Sequence, residues 1–410
     1  MRCVLAGLLI LSVIGCAGTS RWQTTRHPDI MDAAALLASD TQGLLRDERP
    51  DEMPLVPVRK RLRPCCAFGT GLRVRVGAIK IPGFAIDNIR SPDRIGTHTY
   101  DAGQRGQEVN NASERNGLVY TCRGGFIDIA HVRDYADWTL YLATQIGRKL
   151  ETGGVIELPD PEGGQRRFLL QPVDPELIRI VGRRKLTASL AVWAGFQLSL
   201  WHEIATWYGW ASFGLFSERA SAFSPDDLYS NLLGAKIVGP IISASNDLSE
   251  ALFNRAIDGW LEQALQFLGA VPRDTGEAAM AIVDGHWWDS AARLPDPNLV
   301  LRRSLQLGAR IEPWLVPAEN VDPELNRILL NQCDGNLEPH ILLNPSRIPD
   351  LAFESVLKLE IELDDSLERN PALGEYGGRV DQSQFPALLE QIRSEAQAEF
   401  GDLAVSPAIE

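Results

Sequence analysis

The chain has 410 residues, of which 45% are hydrophobic, and it carries a formal net charge of −14 with a pI near 5.0. This length and apolar content are enough for one large domain or two ordinary ones with a full core. The acidity, and a sequence without any basic stripe with interleaved aromatics, argue against nucleic acid as a partner.

The beginning of the chain has the pattern of an export signal. Arg2 precedes an apolar run from Val4 to Ile14, which is too short to span a bilayer as a stable helix. The run ends in Val-Ile-Gly-Cys16, which resembles the lipobox of bacterial lipoproteins. That resemblance implies that Cys16 becomes the acylated N-terminus and a durable membrane anchor. Because Ala17 is not Asp, it also implies the outer membrane, with the protein facing the periplasm. An ordinary cleaved signal peptide is the alternative.

This pattern divides the chain into three parts. Residues 1–15 are predicted to be the signal peptide, and residues 16–64 the lipidated N-terminus and a polar tether with one short helix around Met31 to Leu45. Residues 65–410 are predicted to form a single globular α+β domain. In an oxidising compartment Cys65, Cys66, Cys122 and Cys333 allow three pairings. Since adjacent cysteines do not readily bridge each other, we expect Cys65 and Cys66 each to pair with Cys122 or Cys333.

The hydrophobic periodicity of the predicted domain favours helices. Elements are predicted, in chain order, as a strand at 72–76, a long polar loop at 87–117, a helix after the Gly-Gly turn at 124–125, a hairpin of 155–158 with 168–171, a wholly buried helix at 188–208, helices starting at 224 and spanning 246–268 and 276–283, a strand at 357–363 and a helix at 382–400. The predicted fold is α+β and helix-dominated, with a small antiparallel sheet and buried central helices.

Two stretches carry the residues with chemical potential. The first, Leu118 to Leu142, places Asp128, His131 and Asp134 at successive helical turns among bulky apolar residues. The second, Gly195 to Gly209, places His202 and Glu203 inside an almost wholly apolar helix, where an uncompensated charge would cost several kcal/mol. The second stretch resembles half of the zinc-binding helix H-E-x-x-H, but Thr206 stands where the second histidine belongs.

These residues predict a metal site assembled from two helices. We expect Asp128, His131 and His202 to bind zinc or another divalent metal, with Glu203 as the base and Arg133 as a second catalytic residue. The predicted activity is a metal-dependent hydrolase acting on a cell-envelope substrate.

Three alternatives remain open at this stage. The polar cluster could be a structural ion network in a non-catalytic envelope lipoprotein. Cys122, just before a Gly-Gly turn and a helix, could be the nucleophile of a papain-like thiol enzyme with His131 or His202 as its base. Asp226 and Asp227 are explained as acids at a helix start, but Asp227 and Asn231 share a face and could also reach into a site.

Four motifs together resemble an uncharacterised family of bacterial lipoproteins. They are the lipobox, CCAFG at residues 65–69, YTCRGGFIDIAHVRD at 120–134 and WHEIATWYG at 201–209. The resemblance covers most of the mature chain. The family is known only as a domain of unknown function, so the resemblance implies a location and no activity.

Overall fold

A computed structural model describes residues 27–39, 56–59, 62–63, 66–76, 79–102, 113–159, 161–211, 218–244, 248–316, 323–335, 337–348 and 350–401. The helices there are α1 Ile30–Ala38, α2 Ile129–Lys149, α3 Pro175–Val181, α4 Arg183–Trp207, α5 Asp227–Ala244, α6 Glu250–Phe267, α7 Arg273–Ile282, α8 Pro323–Gln332, α9 Asp365–Glu368, α10 Pro371–Gly374 and α11 Phe385–Phe400. The strands are β1 Leu72–Val76, β2 Ile79–Ile86, β3 Leu118–Thr121, β4 Gly125–Asp128, β5 Gly154–Glu157, β6 Gly164–Leu170, β7 Arg293–Leu294, β8 Arg310–Ile311, β9 Leu342–Leu343, β10 Arg347–Ile348, β11 Leu351–Ala352, β12 Leu357–Leu363 and β13 Arg379–Asp381. The predicted signal peptide, Cys16 and Cys65 lie outside the described residues.

Helices α2, α4 and α5 pack against one another in the middle of the molecule. Helix α4 is apolar on every side, so it is buried all round except at Gln197 and a few positions near its start. Glycines allow the helices to approach closely. A Cβ on Gly234 of α5 would lie 2.1 Å from the carbonyl oxygen of Val132 on α2, and a Cβ on Gly195 of α4 would lie 2.5 Å from Thr139 Oγ1. The predicted buried helix is therefore present.

A four-stranded antiparallel sheet in the order β13-β12-β6-β5 covers α4. In β12, Leu357, Leu359, Ile361 and Leu363 are buried, and the residues between them are partly or fully exposed, as the alternation in sequence predicts. The predicted hairpin is formed by β5 and β6. The α+β class with a single helix-dominated domain is confirmed. No helix among the described residues has both the length and the apolar character needed to cross a bilayer.

The described residues of the predicted tether lie against this body. Helix α1 is capped by Asp29 and packs on α6, and the buried Lys236 donates to the carbonyl oxygens of Ser39 and Leu343. Further along, Arg59 and Arg63 are buried in ion pairs with α2. These segments are thus held by specific polar contacts.

Two sequence predictions about residues 122–134 require correction. Phe126 and Asp128 lie on β4, which pairs with β3 through Tyr120↔Phe126 and Leu118↔Asp128, so the helix begins only at Ile129. Gly125, with φ of 66°, makes the tight turn that the hairpin needs. The disulfide joins Cys122 to Cys333 and leaves Cys66 with a free thiol, contrary to the predicted pairing.

Candidate metal centre

His131 lies on the first turn of α2 and faces α5. Asp128, the last residue of β4, caps the helix by accepting hydrogen bonds from the backbone N–H groups of Ala130 and His131. On the other side, His131 Nδ1 donates to Asn231 Oδ1 on α5 at 2.6 Å. Because a carboxamide oxygen can only accept, Nδ1 carries a proton in this bond, and Nε2 is the nitrogen left to bind a ligand.

Glu203 on α4 has one fixed and one unpaired carboxylate oxygen. Its Oε2 accepts a hydrogen bond from the Phe223 backbone N–H at 2.8 Å, whereas the buried Oε1 has no partner in the described parts of the chain. Phe223 has a φ of 56°, which is unfavourable for a bulky residue. Ser304 N–H donates to its carbonyl, and Arg303 donates to the carbonyls of Ala220 and Ala222. These bonds hold the strained loop against Glu203.

Asp227 supplies the third group at the start of α5. Its Oδ2 accepts a hydrogen bond from the Ser224 N–H, and its Oδ1 lies 3.7 Å from His131 Nε2. The Ser224 hydroxyl lies within hydrogen-bond distance of both Asp226 Oδ1 and Asp227 Oδ1. The residues that start this helix therefore also reach into the site, which the sequence left as an alternative.

One ligand atom each from His131, Glu203 and Asp227 lies within 4.8 Å of the others. All three residues are buried, with 5%, 1% and 3% of their surface exposed. An imidazole nitrogen and two carboxylate oxygens are a donor set that zinc and other divalent metals accept, and three protein ligands leave a coordination position open. A divalent cation fits this group by its donor chemistry.

The charges around His131 also favour a cation. Asp128 Oδ2 lies 3.9 Å from His131 Nε2, and buried Asp226 has one carboxylate oxygen without a hydrogen-bond partner among the described residues. Burial and Asp128 raise the pKa of Asp226 to about 7, and burial together with Glu203 raises the pKa of Asp227 well above its usual value. These carboxyls ionise with difficulty unless a positive charge joins them.

His202 belongs to a neighbouring cluster and not to the ligand group, although its ring centroid is 5.9 Å from that of His131. Its Nδ1 is hydrogen-bonded to Glu162, whose other oxygen pairs with Arg166. Burial alone would lower the pKa of His202, but Glu162 raises it to about 9. The ligand atoms that converge are those of His131, Glu203 and Asp227, so the geometry favours Asp227 in the place predicted for His202.

The other predicted residues lie outside the ligand group. Arg133 points to the opposite side of α2, where it donates to the carbonyl oxygens of Ile95 and Gly96 and to Asn116 Oδ1, so it holds a loop and not a substrate. Asp128 is a helix cap beside the centre, and Glu203, predicted as the base, is positioned as a ligand. Cys122 is bridged to Cys333, so it offers no thiol nucleophile.

Sequence reasoning missed two groups near this centre. Glu162 lies in the turn PDPEGG, whose composition predicts exposure, yet it is 2% exposed. Cys66 follows the predicted tether, but its backbone N–H donates to Asp128 Oδ2 at 3.1 Å, and burial with Asp128 raises the pKa of its thiol. The only sequence signal was the CCAFG motif, and it did not indicate that Cys66 contacts Asp128.

Comparison with known proteins identifies the domain and not its chemistry. No curated protein and no solved structure matches the chain. A family model described as protein of unknown function, DUF4056, matches residues 53–317, which is about two thirds of the chain and includes His131, Glu203 and Asp227. The chain therefore belongs to the DUF4056 family, proteins of unknown function.

Proposed function

We propose that this protein binds one divalent metal ion through His131, Glu203 and Asp227 and uses it to hydrolyse a component of the cell envelope. The observation that carries the proposal is the buried group of three ligand atoms within 4.8 Å, in which Glu203 Oε1 has no other partner among the described residues. A metal ion there neutralises carboxylates that are otherwise costly to bury, and its open position takes the hydrolytic water.

The proposed metal is tested by elemental analysis of the purified full chain after dialysis. We expect one equivalent of zinc or another divalent ion in the wild type and less than a tenth of an equivalent in His131→Gln and Asp227→Asn. Asp137→Asn is the matched control, because Asp137 is equally buried on α2 but pairs with Arg63 and His98. Full metal content in Asp227→Asn would refute the ligand assignment.

A structural metal in a non-catalytic envelope protein is the second candidate, and the burial of all three ligands favours it. Two measurements distinguish the candidates. A catalytic centre predicts metal-dependent release of fragments from isolated cell envelopes and loss of the metal to excess chelator within minutes. A structural centre predicts equal metal content, no turnover and chelator exchange only on unfolding.

We further propose that the protein is an outer-membrane lipoprotein anchored through Cys16. The support is the sequence alone: Arg2, the apolar run from Val4 to Ile14 and the lipobox-like residues that end at Cys16. Radiolabelled palmitate should label the wild type and not Cys16→Ser. Recovery of unlabelled wild-type protein from the soluble fraction would contradict the anchor.

A further inference from the structure

Helix α1 has apolar residues on its outer side as well as on its inner side. Ala33, Leu36 and Leu37 are buried on the inner side, where the helix packs on α6. Asp32 is the polar residue of the helix, and its carboxylate accepts a hydrogen bond from the backbone N–H of the N-cap, Asp29. A helix on a protein surface normally carries polar residues on its outer side, so α1 departs from the usual pattern.

The outer side of α1 is a continuous apolar surface that the rest of the described chain leaves exposed. At about 100° per residue, five side chains point into one outward arc, and we call them the outer face of α1: Ile30, Met31, Ala34, Ala35 and Ala38. Met31 is 72% exposed and Ile30 is 38% exposed. Single exposed apolar residues are ordinary on a protein surface, whereas a grouped set of them marks an interaction site.

The chain that leads into α1 has the composition of a segment at a membrane surface. Residues 17–28 include Arg21, Trp22 and Arg26 and no acidic residue, although the whole chain carries a net charge of −14. Arginine is attracted to anionic lipid headgroups, and tryptophan is enriched at the interface between membrane and water. Ile30 follows the proposed anchor at Cys16 by 14 residues, so acylation would bring the outer face of α1 close to the bilayer.

We propose that the outer face of α1 lies on the phospholipid bilayer, with Ile30 and Met31 at the boundary between headgroups and acyl chains. The inference rests on the proposed anchor at Cys16, because the lipid holds α1 at the membrane. Contact with the acyl chains removes the apolar surface of α1 from water, which is favourable. Since α1 packs on α6 and α5, the contact also fixes which side of the protein faces the membrane.

Photocrosslinking of the full chain on vesicles of phosphatidylethanolamine and phosphatidylglycerol tests this contact. The photoreactive residue p-benzoylphenylalanine replaces Met31 or Ala35 in two variants and Ile180 in the matched control. Ile180 is 68% exposed, nearly as much as Met31, but it lies on α3, which packs on α4. We expect at least about five times more lipid adduct from positions 31 and 35 than from position 180, because only the outer face of α1 enters the bilayer.

Equal lipid adduct at the three positions would overturn the proposal. A crosslink from position 31 to a second copy of the chain, or to another segment of the same chain, would also overturn it, because protein and not lipid would then cover the outer face of α1. Palmitate labelling of the same preparations reports the anchor separately. Excess lipid adduct at positions 31 and 35 of unlabelled protein would support the contact and refute the anchor, whereas labelled protein without that excess would refute the contact alone.

Discussion

Two buried glutamates in this protein differ in how their charge is compensated. Glu162 lies between His202 and Arg166, and these partners lower its pKa to about 2 although burial opposes ionisation. Glu203 has only the Phe223 N–H on one oxygen and nothing among the described residues on the other. The first glutamate completes an ion network, whereas the second is suited to receive a cation.

Substituting each glutamate by glutamine should therefore have opposite effects on the metal-free protein. Glu203→Gln should raise the free energy of unfolding by about 1–3 kcal/mol, because an unpaired buried charge is removed. Glu162→Gln should lower it by about 3–5 kcal/mol, because His202 and Arg166 lose their shared partner. Urea denaturation with a chelator present measures both, and a loss of stability in Glu203→Gln would assign Glu203 to a structural network.

The pH dependence of the metal-free protein follows from the same cluster. The raised pKa of Asp226, about 7, means that the folded state holds a proton that the unfolded chain has released, so stability falls as pH rises from about 4 to 7. The raised pKa of His202, about 9, extends the fall from about 6.5 to 9. Glu162 in this cluster, and Glu114, which pairs with Arg63 outside it, have pKa values that these partners lower to about 2 although burial opposes ionisation. Both make stability rise between pH 2 and about 4.5.

We therefore expect the metal-free protein to be most stable near pH 4–5 and to lose about 1.4 kcal/mol per pH unit for each proton released above it. Metal should remove much of this loss, because it binds the ionised carboxylates. Thermal denaturation from pH 3 to 9, with chelator and with zinc, measures both curves. Coincident curves would show that no metal joins the cluster.

At the scale of elements, close helix packing brings the metal centre together. Gly234 lies two turns beyond Asp227 on α5, where it allows the α5 backbone to approach the α2 backbone at Val132, next to His131. The distance between the two helices at this crossing fixes the distance between Asp227 and His131. Metal affinity and helix packing are therefore linked.

Gly234→Ala tests this link. A Cβ there would lie 2.1 Å from the Val132 carbonyl oxygen, so the helices must separate, at a cost of about 1–3 kcal/mol. We expect lower stability together with weaker metal binding in a competition titration. Gly276→Ala on α7 is the control, because its Cβ would first meet the Cγ2 methyl of Ile89, at 3.0 Å, and no residue of the metal centre. Unchanged metal affinity in Gly234→Ala would show that the packing of α2 against α5 does not determine metal binding.

The elements were predictable where periodicity decides them. The alternation of β12 and the apolar run of α4 predict both elements, and the Ser-Pro-Asp-Asp sequence predicts the start of α5. The boundary at Asp128 was not predictable, because Phe126 and Ile127 suit a helix and a strand equally until β3 supplies a partner. The site was only half predictable. The apolar neighbours of His202 and Glu203 indicate that both are buried, but the sequence does not show whether His202 meets a metal or Glu162.

At the scale of the whole molecule, the Cys122–Cys333 disulfide joins parts of the chain that are 211 residues apart. Cys122 follows β3 within the region matched by the family model, and Cys333 lies after α8, beyond its end. The bond therefore ties the C-terminal part to the hairpin that precedes α2.

Loss of this bond should lower the free energy of unfolding by about 2–5 kcal/mol, because a long loop in the unfolded chain is no longer closed. Chemical denaturation of Cys333→Ser, and of the wild type with reductant, measures the effect. Cys66→Ser is the control, because Cys66 has a free thiol. This variant keeps the disulfide, so reductant should lower its stability as it does that of the wild type. Equal stability of oxidised and reduced wild type would contradict the expectation.

The docking of α1 limits how far the folded domain can lie from a membrane to which it is anchored. Lys236 and α6 hold α1 against the core, so the proposed lipid anchor at Cys16 would be joined to the body through the residues up to Ile30, and not through all those up to residue 64. Fourteen peptide units span at most about 50 Å when fully extended. An anchored molecule would therefore stay close to its own leaflet, and any substrate would have to come within that radius.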